Sequence, residues 1–380
     1  MTAPRVAAPP SARHLASLDG VRGLAILLVV LYHCQQVLPL AATRVGGLLG
    51  AVTGAGWSGV DLFFVLSGFL ITGILLDARG DGPATPPGYF SAFYARRALR
   101  IFPLYYAYLL VVVLIAPPAP EPHSPLWHWL YGSNLLVARY GWGAITRGWT
   151  GALWSLSVEE QFYLVWPALV LWAGRRRMPA VCGAIVVAAL AGRVLAMRDV
   201  GPHAAYTLMP LRADALAVGA WIATVWRRPD GEARLARLSP WLLGAGGLVV
   251  GGLAIRFRGL PYAAPLVATL GYSALAVGYG GVVARAATSA PSTWFARAFQ
   301  TPPLRVLGRY SYAIYLFHGP LLRPIARMLA PGASEGSGRQ FFAYAAVLLL
   351  VTTALAALSW HWFEGPLNRL KSRAPMPRPV

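Results

Sequence analysis

Arg22 and His33 stand eleven residues apart in a stretch that reads Leu18-Asp19-Gly20-Val21-Arg22-Gly23-Leu24 and then runs apolar to Leu31-Tyr32-His33. Eleven residues are three turns of an α-helix, so the two side chains share one face about 16 Å apart along its axis. An imidazole in such a place can remove a proton from a hydroxyl or carry a transferred group as a nucleophile, and the spacing leaves both routes open. A guanidinium binds phosphates through paired hydrogen bonds. Asp61, in Gly59-Val60-Asp61-Leu62-Phe63-Phe64 at the start of the next apolar run, comes to about the height of His33. A carboxylate bonded to the imidazole would fix its tautomer and stabilise the imidazolium. A buried His–Asp pair that only ties two helices together fits the same spacing.

More ionisable groups sit in apolar surroundings, where each is costly and so a candidate for function. Glu159 and Glu160 lie in Trp154-Ser155-Leu156-Ser157-Val158-Glu159-Glu160-Gln161-Phe162-Tyr163. Arg212 and Asp214, two residues apart, are an expected intramembrane ion pair, and His318 ends the run Tyr310-Ser311-Tyr312-Ala313-Ile314-Tyr315-Leu316-Phe317-His318. For Glu159, Glu160, Arg212 and Asp214 a structural role is at least as well supported as a catalytic one. A second cluster is basic: Arg96-Arg97-Ala98-Leu99-Arg100-Ile101-Phe102-Pro103-Leu104-Tyr105, with Arg22 and Arg309 at similar depth. Membrane anchoring accounts for Arg96 and Arg97. Arg100 lies on the apolar side of the cluster, and with Arg22 it suits binding of phosphates, as in a nucleotide-bearing co-substrate.

The elements that must position these groups follow from composition. Apolar residues make up 57% of the 380, charged residues 12%, and mean hydropathy is +0.54. A soluble domain carries about 25% charged residues, so a soluble enzyme is excluded. Ten spans of about 20 residues need roughly 200 apolar positions, which this composition supplies. Apolar runs near 21–40, 58–76, 98–116, 157–173, 179–197, 207–226, 240–255, 263–284, 304–329 and 340–362 predict an all-α polytopic membrane protein of about ten helices. The connections on one side hold twenty Lys and Arg, among them Arg79, Arg175, Arg176, Arg177, Arg227, Arg228, Arg285, Arg297 and Lys371. The other side holds seven: Arg44, Arg139, Arg147, Arg198, Arg256, Arg258 and Arg339. By the positive-inside rule both termini are expected in the cytoplasm. The net charge of +20 is then mostly orientation within a lipid bilayer, and no nucleic-acid partner is expected. Cys34 and Cys182 are the only cysteines, so neither a disulfide framework nor a metal site is expected.

The longest predicted outside segment, 117–156, is rich in proline and carries Trp127, Trp129, Trp142, Trp149 and Trp154. Tryptophans there fit an interfacial aromatic belt, and less readily a stacking platform for sugars. Asp19, Arg22 and His33 argue against a cleaved signal peptide over the first span. Phosphate-loop, nucleophile-elbow and zinc-helix motifs are absent from the sequence.

These residues together resemble the acyltransferase 3 family of integral-membrane O-acyltransferases, over roughly 14–370. The resemblance rests on Arg22-x10-His33 and on Gly59-Val60-Asp61-Leu62-Phe63-Phe64-Val65-Leu66-Ser67-Gly68-Phe69-Leu70-Ile71-Thr72. It continues through Arg97-x-x-Arg100-Ile101-x-Pro103-x-Tyr105, the Trp154–Tyr163 run, Tyr312-x-x-Tyr315-Leu316-x-His318 and Phe363-Glu364-x-Pro366. The resemblance implies a bacterial plasma-membrane enzyme with acyl-CoA, commonly acetyl-CoA, as co-substrate and a hydroxyl acceptor, usually on a surface or exported carbohydrate. It carries catalytic weight onto His33, with Asp61, Glu159 and Glu364 as weaker candidates, and cofactor binding onto Arg22, Arg97 and Arg100. The expected layout is a disordered tail at 1–13, the membrane domain at 14–370 and a basic cytoplasmic tail at 371–380, without the extracytoplasmic SGNH domain that some members carry. Two alternatives stand beside this reading: acylation of a small natural product such as a macrolide, and a proton-coupled transporter that uses His33, Asp61, Arg212 and Asp214 as a relay. The sequence lacks the two related halves common in transporters.

Overall fold

The computed structural model describes residues 16–80, 85–116, 123–145 and 148–376. The expected N-terminal tail and Arg147 lie outside the described residues, as does 377–380 of the expected C-terminal tail. Among the described residues fifteen α-helices follow one another: α1 Ala16–Val37, α2 Arg44–Gly54, α3 Gly59–Arg79, α4 Tyr89–Ile115, α5 Leu126–Trp129, α6 Ser133–Tyr140, α7 Leu153–Asp199 and α8 Pro202–Thr207. Then come α9 Met209–Trp226, α10 Gly231–Phe257, α11 Tyr272–Thr288, α12 Trp294–Phe299, α13 Pro302–Leu329, α14 Gly338–Ser359 and α15 Gly365–Arg369. Among the described residues the only extended pairing is a single parallel bridge between Leu40 and Gly336. An all-helical fold is what lipid demands of an open chain, because a helix satisfies its backbone hydrogen bonds within one segment.

Eight helices among the described residues are long and apolar enough to cross a membrane, against about ten expected. The expected segments 157–173 and 179–197 both lie in the 47-residue α7, which bends at Gly174 in the left-handed region (φ +57°). Arg79 Nε donates to the Leu171 carbonyl at 3.1 Å just before that bend, satisfying an acceptor near the end of the first leg. The expected segment 304–329 is α13, whose Arg305, Arg309, Arg323 and Arg327, with His318 and three tyrosines, keep it below the apolarity of the eight.

Two close crossings set the frame of the site. In α1, Gly20 and Gly23 face the carbonyls of Phe299 and Leu304, and Gly308 of α13 faces the Asp19 carbonyl. A Cβ at any of the three would overlap backbone, so small residues let these helices touch along their length. Gly308 meets Asp19 while His318 meets His33, so α1 and α13 run parallel. In the same way Gly68 of α3 faces the Leu216 carbonyl, and Gly219 of α9 faces that of Val65. Large apolar side chains stay outside this core: Leu114 and Leu248 are 78% exposed and Ile255 83%. An apolar surface of this kind calls for lipid, and the chain is a multi-pass membrane protein.

Between α4 and α7 the connection folds back on the bundle. The hydroxyls of Tyr105 and Tyr106 donate to the carbonyls of His128 and Trp129 at 2.7 and 3.2 Å. His128 Nδ1 lies 2.7 Å from Ser133 Oγ, and burial pushes its imidazole down to about 4. Trp129 stacks on Tyr106 at 5.6 Å and Trp142 donates to the Tyr262 hydroxyl at 3.1 Å. These two tryptophans are therefore part of the protein's own packing. At the other end of the chain Arg96 Nη1 donates to the Lys371 and Ala374 carbonyls at 3.3 and 3.5 Å, fastening the C-terminal segment to α4.

Candidate active site

A cavity of about 130 Å³ opens between α1, α3, α4, α7 and α13. Arg22, Arg97, Arg100, Glu159, Tyr163 and Ser67 line it, and Tyr312, Tyr315, Phe63 and Ser155 complete its wall. Three guanidiniums thus surround one carboxylate, a surplus of positive charge in a confined space. Glu159 is held from the side, its Oε1 accepting from Ser67 Oγ at 2.6 Å. Arg97 lies 4.3 Å over the Tyr163 ring, and its Nε is buried without a hydrogen-bond partner among the described residues. Arg100 lies 5.2 Å over Trp360, and Arg309 approaches the same ring at 6.0 Å. Aromatic faces contact these cations; Arg97 also hydrogen-bonds Tyr163, and its Nε is the donor left for an anion. Arg22 and Asp19 are only loosely paired, at 4.0 Å.

Further along α1 the polar groups change character. His33 Nδ1 lies 2.9 Å from the Val29 carbonyl, one turn back, and 3.2 Å from Nε2 of His318 on α13. The two imidazoles have centroids 4.9 Å apart at 52°. Tyr315 stands between this pair and the cavity. It lines the cavity, its hydroxyl is 2.6 Å from Ser155 Oγ, and its ring is 5.7 Å from that of His318.

Asp61 does not hold His33, contrary to expectation. Its Oδ1 takes Nη2 of Arg212 at 2.5 Å in a pair that is 0% and 1% exposed, and the Arg212 guanidinium packs 4.2 Å over Tyr272. The expected Arg212–Asp214 pair is also absent. Residues two apart on a helix point to opposite faces, so Arg212 reaches α3 while Asp214 turns to α7 and binds Arg193 at 2.7 Å. Ser273 donates to the same Asp214 oxygen at 2.8 Å. His33, Asp61, Arg212 and Asp214 therefore do not form the continuous chain that a proton relay through them requires.

Glu364 is 4% exposed in the turn Trp360–Glu364 and accepts from Ser359 Oγ at 3.1 Å. Its neighbours are Trp360 and, through it, Arg100, which puts it at the arginine end and away from His33. Of the residues singled out in the sequence, the structure brings Arg22, Arg97, Arg100 and Glu159 to one cavity and leaves His33 farther along α1. It pairs Asp61 elsewhere. His318, which the sequence places at the end of an apolar run without assigning it a role, meets His33 because α1 and α13 run parallel.

The sequence profile described as an acyltransferase domain, Acyl_transf_3, matches residues 15–361. The chain belongs to the acyltransferase 3 family. Among acyltransferase 3 relatives, the peptidoglycan O-acetyltransferase OatA of Listeria monocytogenes is 28% identical over 94% of this chain and 56% of its own. The YrhL protein of Bacillus subtilis is 28% identical over 94% of this chain and 55% of its own. The O-acetyltransferase OatA of Staphylococcus aureus is 25% identical over 94% and 58%. The chain thus spans little more than half the length of the curated relatives it matches. No solved structure matches this acyltransferase 3 chain.

Proposed function

We propose that the chain is a membrane O-acyltransferase that moves an acetyl group from acetyl-CoA to a hydroxyl of a cell-envelope carbohydrate, in the plasma membrane of a bacterium. The observation that carries this reading is the pairing of a triple-arginine cavity with a histidine three helical turns away along α1. The relatives, a peptidoglycan O-acetyltransferase among them, support the acetyl group and the carbohydrate acceptor.

The cavity is small beside CoA, so it takes part of the donor and the rest lies outside. Arg22, Arg97 and Arg100 attract its phosphates, with Arg96 and Lys371 beside them. The pantetheine arm then spans the distance toward His33. His33 Nε2 takes the proton of the acceptor hydroxyl, the freed oxygen attacks the thioester carbonyl, the C–S bond breaks, and the CoA thiolate receives the proton. With the arginine end in the cytoplasm, donor and acceptor approach from opposite faces of the membrane.

Purified protein in lipid discs, supplied with labelled acetyl-CoA and glycan fragments, provides the test. Transfer of label to a hydroxyl of the glycan, read by mass spectrometry, is the expected result. An intact thioester with every donor and acceptor tried would overturn the reading.

A further inference from the structure

We infer that His318 is a positioning residue for His33: its Nε2 shares the His33 Nδ1–H with the Val29 carbonyl, reinforcing the ring orientation and the tautomer whose Nε2 is free to take a proton. The inference rests on the proposed role of His33 as base and adds the group that orients it.

Two backbone carbonyls place the ring hydrogens. His33 Nδ1 faces the Val29 oxygen at 2.9 Å, and His318 Nδ1 faces the Ile314 oxygen at 3.2 Å. A carbonyl can only accept, so each Nδ1 carries the hydrogen. A neutral imidazole has one hydrogen, so Nε2 of His318 is a lone pair. It lies 3.2 Å from His33 Nδ1, and the His33 Nδ1–H is shared between two acceptors. Nε2 of His33 is then also a lone pair, with no protein partner among the described residues. Helical geometry on α1 and α13, not a carboxylate, sets both tautomers.

When His33 takes up a proton, the Nδ1–H becomes more acidic and its bond to the His318 lone pair strengthens. A hydrogen bond to the charged form favours it, so the His318 lone pair steadies the imidazolium that forms at His33. Two imidazolium rings cannot coexist at this distance, so the pair holds one added proton. The titratable neighbours are Tyr32 and Cys34 beside His33 on α1 and Tyr315 against His318 on α13, with Tyr344 of α14 bonded to Cys34. Asp61 of α3 is neutralised by Arg212. Among the described residues no carboxylate or guanidinium is hydrogen-bonded to either ring.

The test compares His318→Leu, which removes the acceptor, with His318→Gln, whose amide oxygen reaches about the place of Nε2. Two readouts are taken: acyl transfer, and the pH dependence of His33 carbethoxylation by diethyl pyrocarbonate, followed on the His33 peptide and independent of turnover. His318→Leu should lower kcat about a hundredfold or more with donor KM unchanged, and move the carbethoxylation midpoint down by about one pH unit. His318→Gln should stay within about tenfold of wild type in kcat by the same reasoning. A His318→Leu enzyme of wild-type kcat would overturn the inference. So would an equal loss in both variants with an unmoved midpoint, which is the signature of packing alone. If the leucine variant does not fold, a His318→Gln enzyme that is folded yet as inactive as His33→Ala would also overturn it. A moved midpoint in a protein without acyl transfer would uphold the pair and refute the base reading instead.

Discussion

Replacing Asp61 by Asn separates two accounts of this residue that the sequence left open. In the structure its carboxylate is 1% exposed and bound to the fully buried Arg212 guanidinium, which uses one N–H for the pair and leaves Nε and Nη1 without partners among the described residues. Asn removes the charge and leaves Arg212 buried and uncompensated, a change that typically costs about 3–5 kcal/mol. Cycle measurements between neutral groups in membrane proteins average only about 0.6 kcal/mol, so a large loss would be specific to the charge. The double variant Asp61→Leu with Arg212→Met removes both charges, and buried pairs replaced this way are often close to neutral. Thermal unfolding in detergent should therefore show both single variants well below wild type and the double variant recovered. Acyl transfer measured below the melting point should persist in the double variant. A stable Asp61→Asn protein without activity would refute this reasoning and return Asp61 to the chemistry.

Other perturbations follow from the same geometry. Arg100→Gln and Arg97→Gln would each remove a proposed charged phosphate contact worth about 1.5–3 kcal/mol, so on the proposed function donor KM should rise by about tenfold or more in steady-state assays while kcat changes less. Gly308→Val places side-chain atoms on the Asp19 carbonyl and should prevent recovery of folded protein on size exclusion. Tyr315→Phe removes the hydroxyl bond to Ser155 and should lower the melting point only slightly, as expected for about 1 kcal/mol. His128 titrates near 6.5 when unfolded and near 4 when folded. The native state therefore binds fewer protons in that window, and stability falls as pH drops from 6.5 to 4. Melting curves across that range should show a shallower decline in His128→Gln.

The membrane character, the helical class and the arginine cluster were legible because each depends on local composition and on distance along one helix. Arg22 and His33 share α1, so helical pitch alone relates them. Partner choice was not legible, because it depends on how separate helices are rotated against one another. Asp61 faces α9 and not α1, a fact settled by the Gly68 and Gly219 crossing that brings α3 onto α9. Helical geometry alone excludes an Arg212–Asp214 pair, since residues two apart point to opposite faces. The two expected spans 157–173 and 179–197 are the two legs of α7, separated by the non-helical backbone at Gly174. His318 needed the parallel course of α1 and α13, which the glycines at 20, 23 and 308 permit but do not announce.

The central claim is a division of labour along α1, with binding of the donor at Arg22 and chemistry at His33. Measuring CoA affinity by titration and acetyl-CoA turnover on the same preparations of wild type, Arg22→Gln and His33→Ala tests it most directly. The account predicts that His33→Ala binds CoA like wild type but leaves the thioester intact, while Arg22→Gln binds CoA more weakly and still turns it over at saturation. Wild-type turnover by His33→Ala, or unchanged CoA affinity in Arg22→Gln, would contradict it.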